Sequence, residues 1–207
     1  MLSFDTFPVG PIACNCVLVW DGEKGTGVVV DPGGEPEKIR LRVEARGFQV
    51  TALLHTHAHF DHVGATRELQ ELWSCPAYLH ADDNYLIEIL DQQTGLFGMP
   101  SVPKPTMVPM KAGDVLHGLT VHHTPGHSQG SCCFLGDFEH GQVVVAGDTL
   151  FQGGVGRTDV LGGNQAELVA SIRRELYPLP DATLVLPGHG PSTTIGDEAR
   201  WNPFVRR

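Results

Sequence analysis

Residues 57–62 read HAHFDH, which sets His57, His59, Asp61 and His62 within six positions just after the apolar run Ala52-Leu53-Leu54. A strand that ends in a tight loop can turn all four side chains toward one point. Imidazole nitrogen and carboxylate oxygen are ligand types that divalent zinc or iron accepts. Four such ligands are too many for one catalytic ion that must keep an open coordination position. They are better explained as halves of two adjacent sites.

Two adjacent ions need more ligands than one loop supplies, and three further segments offer them. Thr124-Pro125-Gly126-His127-Ser128 places a His after a Pro-Gly turn. Val143-Val144-Val145-Ala146-Gly147-Asp148 ends a buried-looking strand on an Asp, and Leu184-Val185-Leu186-Pro187-Gly188-His189 ends another on a His. The last two are apolar runs that stop at Gly and then present one ligand-type residue. Glycine at such a point lets the backbone turn sharply and approach an ion closely. His55 would share a face with His57 on a strand; a packed, neutral core histidine is the preferred reading for it.

The ordered set HAHFDH, GHS, GDT and GHG resembles the metallo-β-lactamase superfamily of metal-dependent hydrolases, over nearly the whole chain from Asn15 and the Asp31-Pro32-Gly33 turn onward. The resemblance implies an α/β fold, a four-layer αββα sandwich of two mixed sheets flanked by helices, with all ligands in loops at one edge. It implies that His57, His59 and His127 hold one ion, that Asp61, His62 and His189 hold a second, and that Asp148 bridges them. Asp61 would also orient the attacking hydroxide. Asp31 would support the ligand loop without being a ligand.

Within the superfamily the chain is most similar to the glyoxalase II group. Gly147-Asp148-Thr149-Leu150-Phe151 followed by Gly153-Gly154-Val155-Gly156-Arg157 resembles that group's GDTLF…GCGR segment, and residues 187–204 resemble the ending of its short bacterial branch. The implied reaction is hydrolysis of a glutathione thioester, S-D-lactoylglutathione or a related acyl-glutathione, by a metal-bridging hydroxide. Zinc is the first expectation, with iron or manganese as alternatives. Arg157 becomes a candidate contact for a substrate carboxylate, against a plain salt bridge to Asp159. Thr158-Asp159 stands where the group has an aromatic glutathione contact, and the extra helical domain of longer members is not expected. The segment Gly156-Arg157-Thr158-Asp159 also resembles persulfide dioxygenases. These use one iron, for which His57, His127 and Asp148 would serve, and act on glutathione persulfide.

The elements that must position these residues follow from periodicity. Val17–Trp20 and Gly27–Asp31 read as strands around Asp21-Gly22-Glu23. Pro36–Arg46 reads as a helix closed by Gly47, with Ile39 and Val43 on one face. Thr51–Leu54 is a strand into the ligand loop, Val63–Trp73 a helix, Ala77–His80 a strand, and Asp82–Leu90 a helix with Asp82 as N-cap. Strands follow at Leu119–His123, Ser131–Leu135, Val143–Ala146 and Leu184–Leu186, with a helix over Asn164–Tyr177 ended by Pro178. Residues 94–112, with four prolines, are expected to hold no long regular structure. Their apolar Leu96, Phe97, Met99, Val102 and Met107 form a candidate substrate wall or a surface meander. Mixed strands and helices of this kind fit two packed sheets flanked by helices.

The bulk composition agrees. The 207 residues, 41% hydrophobic and 18% charged, suit one globular domain over 1–207. A net charge of −10 makes nucleic acid a poor partner. No apolar run approaches a membrane span, and the N-terminus lacks the basic and apolar regions of a signal peptide. The five cysteines show no CxxC spacing. They read as small reduced core residues, so the expected home is the cytoplasm, while the glyoxalase II resemblance implies a small-molecule thioester as partner.

Overall fold

A computed structural model describes all of residues 1–207. The chain forms two compact units, Met1–Met110 and Lys111–Arg207.

The first unit contains strands β1 (Leu2–Val9), β2 (Cys14–Asp21), β3 (Thr26–Val30), β4 (Gln49–Leu54), β5 (Ala77–His80) and β6 (Met107–Met110), hydrogen-bonded in that order. The β1/β2 and β2/β3 pairs are antiparallel, and β3 through β6 run parallel. Parallel neighbours need crossover connections, and helices supply them: α1 (Pro36–Arg46), then α2 (Phe60–Val63) and α3 (Thr66–Trp73), then α4 (Asn84–Glu88) and α5 (Leu90–Leu96). Ile39 and Val43 of α1 and Leu69 of α3 pack with Phe7, Leu18, Val29 and Leu53 of the strands in one core. A second cluster joins Ala58, Phe60 and Val63 of the ligand segment to Leu79, Leu86 and Leu90.

The second unit contains β7 (Val115–Leu116), β8 (Leu119–His123), β9 (Cys132–Phe138), β10 (Gly141–Gly147), the short hairpin β11 (Leu150–Phe151) and β12 (Gly154–Val155), β13 (Leu184–Pro187) and β14 (Thr193–Thr194). Its main sheet runs β14-β13-β10-β9-β8-β7, with only β10/β13 parallel. That parallel crossover carries α6 (Gln165–Ser171), which continues as a π-helical turn over Ile172–Leu176, and α7 (Ile195–Trp201) follows β14. Leu168, Ile172 and Leu176 pack with Cys133, Val144, Val185 and Ile195.

Several expectations are corrected. The single helix expected over Val63–Trp73 is two, because the Ala65 N–H is spent on the Pro32 carbonyl (2.9 Å) where the chain passes close to the Asp31-Pro32-Gly33 turn. Asp82 is not an N-cap. His80 takes that role, its Nδ1 accepting the Asp82 N–H at 3.3 Å, and a 3₁₀ turn over Ala81–Asp83 precedes α4 and α5. Among the elements absent from the sequence reading are the short strands β6, β7, β11, β12 and β14, the longer strand β1 and, last in the chain, α7. This helix had a legible signal in Thr194-x-x-Asp197: the Thr194 hydroxyl accepts the Asp197 N–H (3.1 Å) as an N-cap and donates to Asp197 Oδ2 (2.9 Å). No helix is long and apolar enough to cross a membrane.

Candidate metal centre

In the first unit the ligand segment leaves the end of β4 and is gathered by its own rings. The His57 and His59 ring centroids lie 4.7 Å apart, those of His57 and His62 4.0 Å apart, and His62 Nε2 lies 3.4 Å from Asp61 Oδ2. His57, Asp61 and His62 are buried.

Asp31 organises this cluster from the end of β3. Its backbone adopts the left-handed region (φ 51°), which Asp tolerates better than most residues. Oδ1 accepts the Thr56 N–H (2.8 Å), and Oδ2 accepts both the Thr56 hydroxyl (2.6 Å) and His62 Nδ1 (2.9 Å). Thr56 Oγ1 in turn accepts from His57 Nδ1 (3.1 Å). A carboxylate in this setting can only accept, so the proton of each ring sits on Nδ1 and the Nε2 lone pair is left for a ligand role. The expected support by Asp31 is therefore present, and it reaches two rings. Cys14 Sγ lies 3.5 Å from His62 Nδ1, and burial pushes this thiol up to about 12.

Close backbone approach explains Gly33: a Cβ there would stand 1.5 Å from the Asp61 carbonyl oxygen. The other flank of the segment is braced by residues that sequence reasoning missed. Asp83 Oδ2 accepts the Ala58 N–H (3.1 Å), and Gln93 accepts the Phe60 N–H (3.0 Å) while donating to the Ala58 (3.3 Å) and Leu86 (2.9 Å) carbonyls. Nothing in the local sequence marks Gln93 for this, since its partners lie 33 and 35 residues away. His55 is fully buried between Tyr78 O (3.0 Å) and Thr66 Oγ1 (2.8 Å), and burial pushes it down to about 4. It is the neutral core residue expected.

In the second unit His127 and His189 face Asp148, with Nε2 to Oδ2 distances of 3.6 and 3.8 Å. His127 Nδ1 donates to the Arg157 carbonyl at 2.7 Å. A Cβ at Gly156 would meet the Asp148 carbonyl oxygen at 1.9 Å. The Arg157 guanidinium forms a two-pronged pair with Asp159 (2.8 and 2.9 Å) on an exposed surface. Residues 94–112 divide: Met99, Val102 and Met107 pack on the core, whereas Leu96 and Phe97 stay exposed, the Phe97 ring 5.0 Å from that of Phe60.

Imidazole and carboxylate donors with their distal nitrogens already committed are a donor set that fits divalent ions. The profile of the metallo-β-lactamase superfamily matches residues 9–189. The chain belongs to the metallo-β-lactamase superfamily. A probable metallo-hydrolase (YqgX) of Bacillus subtilis is 40% identical, covering 99% of this chain and 98% of the relative. The hydroxyacylglutathione hydrolase GloC of Haemophilus influenzae is 38% identical over the same shares. Among solved structures, the protein TTHA1623 in a di-iron-bound form superposes with a TM-score of 0.88 at 42% identity, covering 97% of this chain and all (100%) of the other. The BLEG-1 B3 metallo-β-lactamase gives 0.88 at 36%, covering 98% and 99%. ETHE1 from Myxococcus xanthus gives 0.77 at 29%, covering 97% and 83%. The metallo-β-lactamase fold and its mixed α/β class, expected from the motifs, are thereby established, and with them membership in a superfamily of metal-binding hydrolases.

Proposed function

We propose that the chain is a thioester hydrolase of the glyoxalase II type, acting on S-D-lactoylglutathione or a related acyl-glutathione. In this reading His57, His59 and His127 hold one divalent ion, Asp61, His62 and His189 hold another, and Asp148 bridges them. The observation that carries it is the commitment of the distal nitrogens: Asp31 and Thr56 engage Nδ1 of His62 and His57, and the Arg157 carbonyl engages Nδ1 of His127. Residues so arranged present Nε2 lone pairs. The GloC relative and the di-iron neighbour support the substrate class and the two-ion stoichiometry. Zinc and iron both suit the donor set.

Ions bound there would lower the pKa of a coordinated water to about 7 and polarise the thioester carbonyl. The side chains do the rest. Asp61, beside His62, accepts the water's hydrogen bond through a carboxylate oxygen and aims it. Asp148 would bring negative charge to the bound cations and reduce their repulsion. Arg157 offers its guanidinium to a glutathione carboxylate, which must displace Asp159 from it. No serine or cysteine nucleophile is required, and a thiolate leaves without a strong general acid. In this reading the catalytic domain spans 1–207. Its five reduced cysteines suit the cytoplasm.

The ETHE1 neighbour favours a second reading equally, a mononuclear iron persulfide dioxygenase that uses His57, His127 and Asp148 and acts on glutathione persulfide. Elemental analysis of the isolated protein, with assays of thiol release from S-D-lactoylglutathione, oxygen uptake with glutathione persulfide, and β-lactam opening, separates these. Two ions per chain and thiol release are expected. No thiol release from any acyl-glutathione with both ions loaded would overturn the proposal, and one iron with oxygen uptake would install the alternative.

A further inference from the structure

We infer that Glu198 and Asn202 are positioning residues for the ligand cluster of the second unit, acting through the glycine hairpin that carries Arg157. Both side chains are buried, Glu198 at 4% and Asn202 at 0% exposure. Glu198 Oε1 accepts the Thr193 hydroxyl (2.6 Å), and Oε2 accepts the Gly153 N–H (2.9 Å) and the Asn202 Nδ2 amide (2.7 Å). Asn202 Nδ2 also donates to the Gly154 carbonyl (3.0 Å), while its Oδ1 accepts the N–H groups of Phe204 (3.0 Å) and Val205 (3.3 Å). Two consecutive residues at the hairpin tip are thus gripped, one by its N–H and the next by its carbonyl.

The hairpin passes that constraint on. Beyond β12 lies Gly156, packed so tightly on the Asp148 carbonyl that no Cβ fits. Then comes the Arg157 carbonyl, 2.7 Å from His127 Nδ1. A carbonyl can only accept, so this contact keeps the His127 proton on Nδ1 and points the Nε2 lone pair toward Asp148 Oδ2. An apolar residue at 198 would fill the same volume without desolvating a carboxylate. What the carboxylate adds is direction: it fixes two donors at one oxygen, and through them the turn that orients the imidazole.

This inference rests on the ligand roles proposed for His127 and Asp148, but its test does not pass through thioester turnover. The ¹⁵N resonances of the His127 ring in the metal-free protein report its tautomer, and competition with a chelator reports affinity for Zn²⁺. Glu198→Ala and Asn202→Asp should both lose the single Nδ1-protonated form. Their Zn²⁺ affinity should fall by about 10- to 100-fold, the usual effect of removing such outer partners. Glu198→Gln should stay within about threefold of wild type, because its amide oxygen can take both N–H donors while its NH₂ donates to Thr193. Tyr177→Phe is the structural control. It removes hydroxyl bonds to the Glu198 and Val205 carbonyls, leaves the carboxylate in place, and should move neither readout. If Glu198→Ala does not fold, Asn202→Asp against Glu198→Gln decides. Wild-type tautomer and affinity in Asn202→Asp would overturn the inference, as would equal losses in Tyr177→Phe.

Discussion

Asp31→Asn is a demanding test of how the first unit prepares its proposed ligands. Asn is isosteric with Asp and tolerates the left-handed backbone, so the substitution changes hydrogen-bond polarity and little else. Asp31 accepts three donors: the Thr56 N–H, the Thr56 hydroxyl and His62 Nδ1. The new NH₂ must face one side or the other. Facing the backbone N–H, it would leave a fixed buried donor unsatisfied, at about 1–3 kcal/mol. Facing the hydroxyl and the imidazole, it meets groups that can adapt. The hydroxyl rotates, and His62 moves its proton to Nε2, donating there and accepting at Nδ1. The rotated hydroxyl then donates to His57 Nδ1 and inverts that ring as well. The second arrangement wins because it strands nothing. Asp31→Asn should therefore fold with little loss of stability yet present two rings with their Nε2 lone pairs consumed. Ion binding would have to reverse both tautomers or strand the Thr56 N–H, so affinity should fall by about 10- to 100-fold, or about 1.4–2.8 kcal/mol. Isothermal titration of the metal-free variant with Zn²⁺, beside ¹⁵N spectra of both rings, reads this out. Wild-type affinity with both protons still on Nδ1 would refute the reasoning.

Further outcomes follow from the same geometry. His59→Ala and Asp148→Ala should each abolish turnover while leaving the circular-dichroism spectrum of the fold intact; retained turnover in either would count against the proposed ligand set. Gly33→Ala and Gly156→Ala put a Cβ 1.5 and 1.9 Å from backbone carbonyl oxygens, so the loops must shift and ion content per chain should drop, as elemental analysis would show. His55 is held neutral by burial, its pKa lowered to about 4 from the ordinary histidine value of 6.5. The unfolded chain therefore binds the extra proton between these values, and stability present above pH 6.5 is lost as pH falls toward 4, by roughly 3 kcal/mol. Denaturant titrations of wild type and His55→Gln across this window should show that component in the former alone.

The segments that carry the proposed ligands were legible because each joins a strongly patterned strand to an uncommon residue set: β4 into HAHFDH, β10 into Asp148, β13 into His189. Pro36–Arg46, Ala77–His80 and Leu119–His123 fall on the bounds that periodicity and turn residues predict. What escaped was set by distant partners. β1 alternates at Leu2 and Phe4 and again at Phe7 and Val9 with the phase broken between, and it is held by eight-residue pairing with β2, which local pattern does not reveal. Residues 94–112 still contain a four-residue strand despite Pro109, because β6 ends the strand order of its unit, where a proline is tolerated. Gln93, Glu198 and Asn202 look like ordinary surface polars in sequence. Their roles arise from hydrogen bonds spanning 33 to 48 residues.

The Nδ1 contacts of His57, His62 and His127 bear on metal selection. If these three rings hold ions as proposed, protons parked on carbonyl, hydroxyl or carboxylate oxygens need not be shed when an ion arrives, so capture would cost no deprotonation once the rings are neutral. The imidazole and carboxylate donors themselves suit zinc and iron alike. Metal supply, more than the polypeptide, would then decide whether zinc or iron is carried.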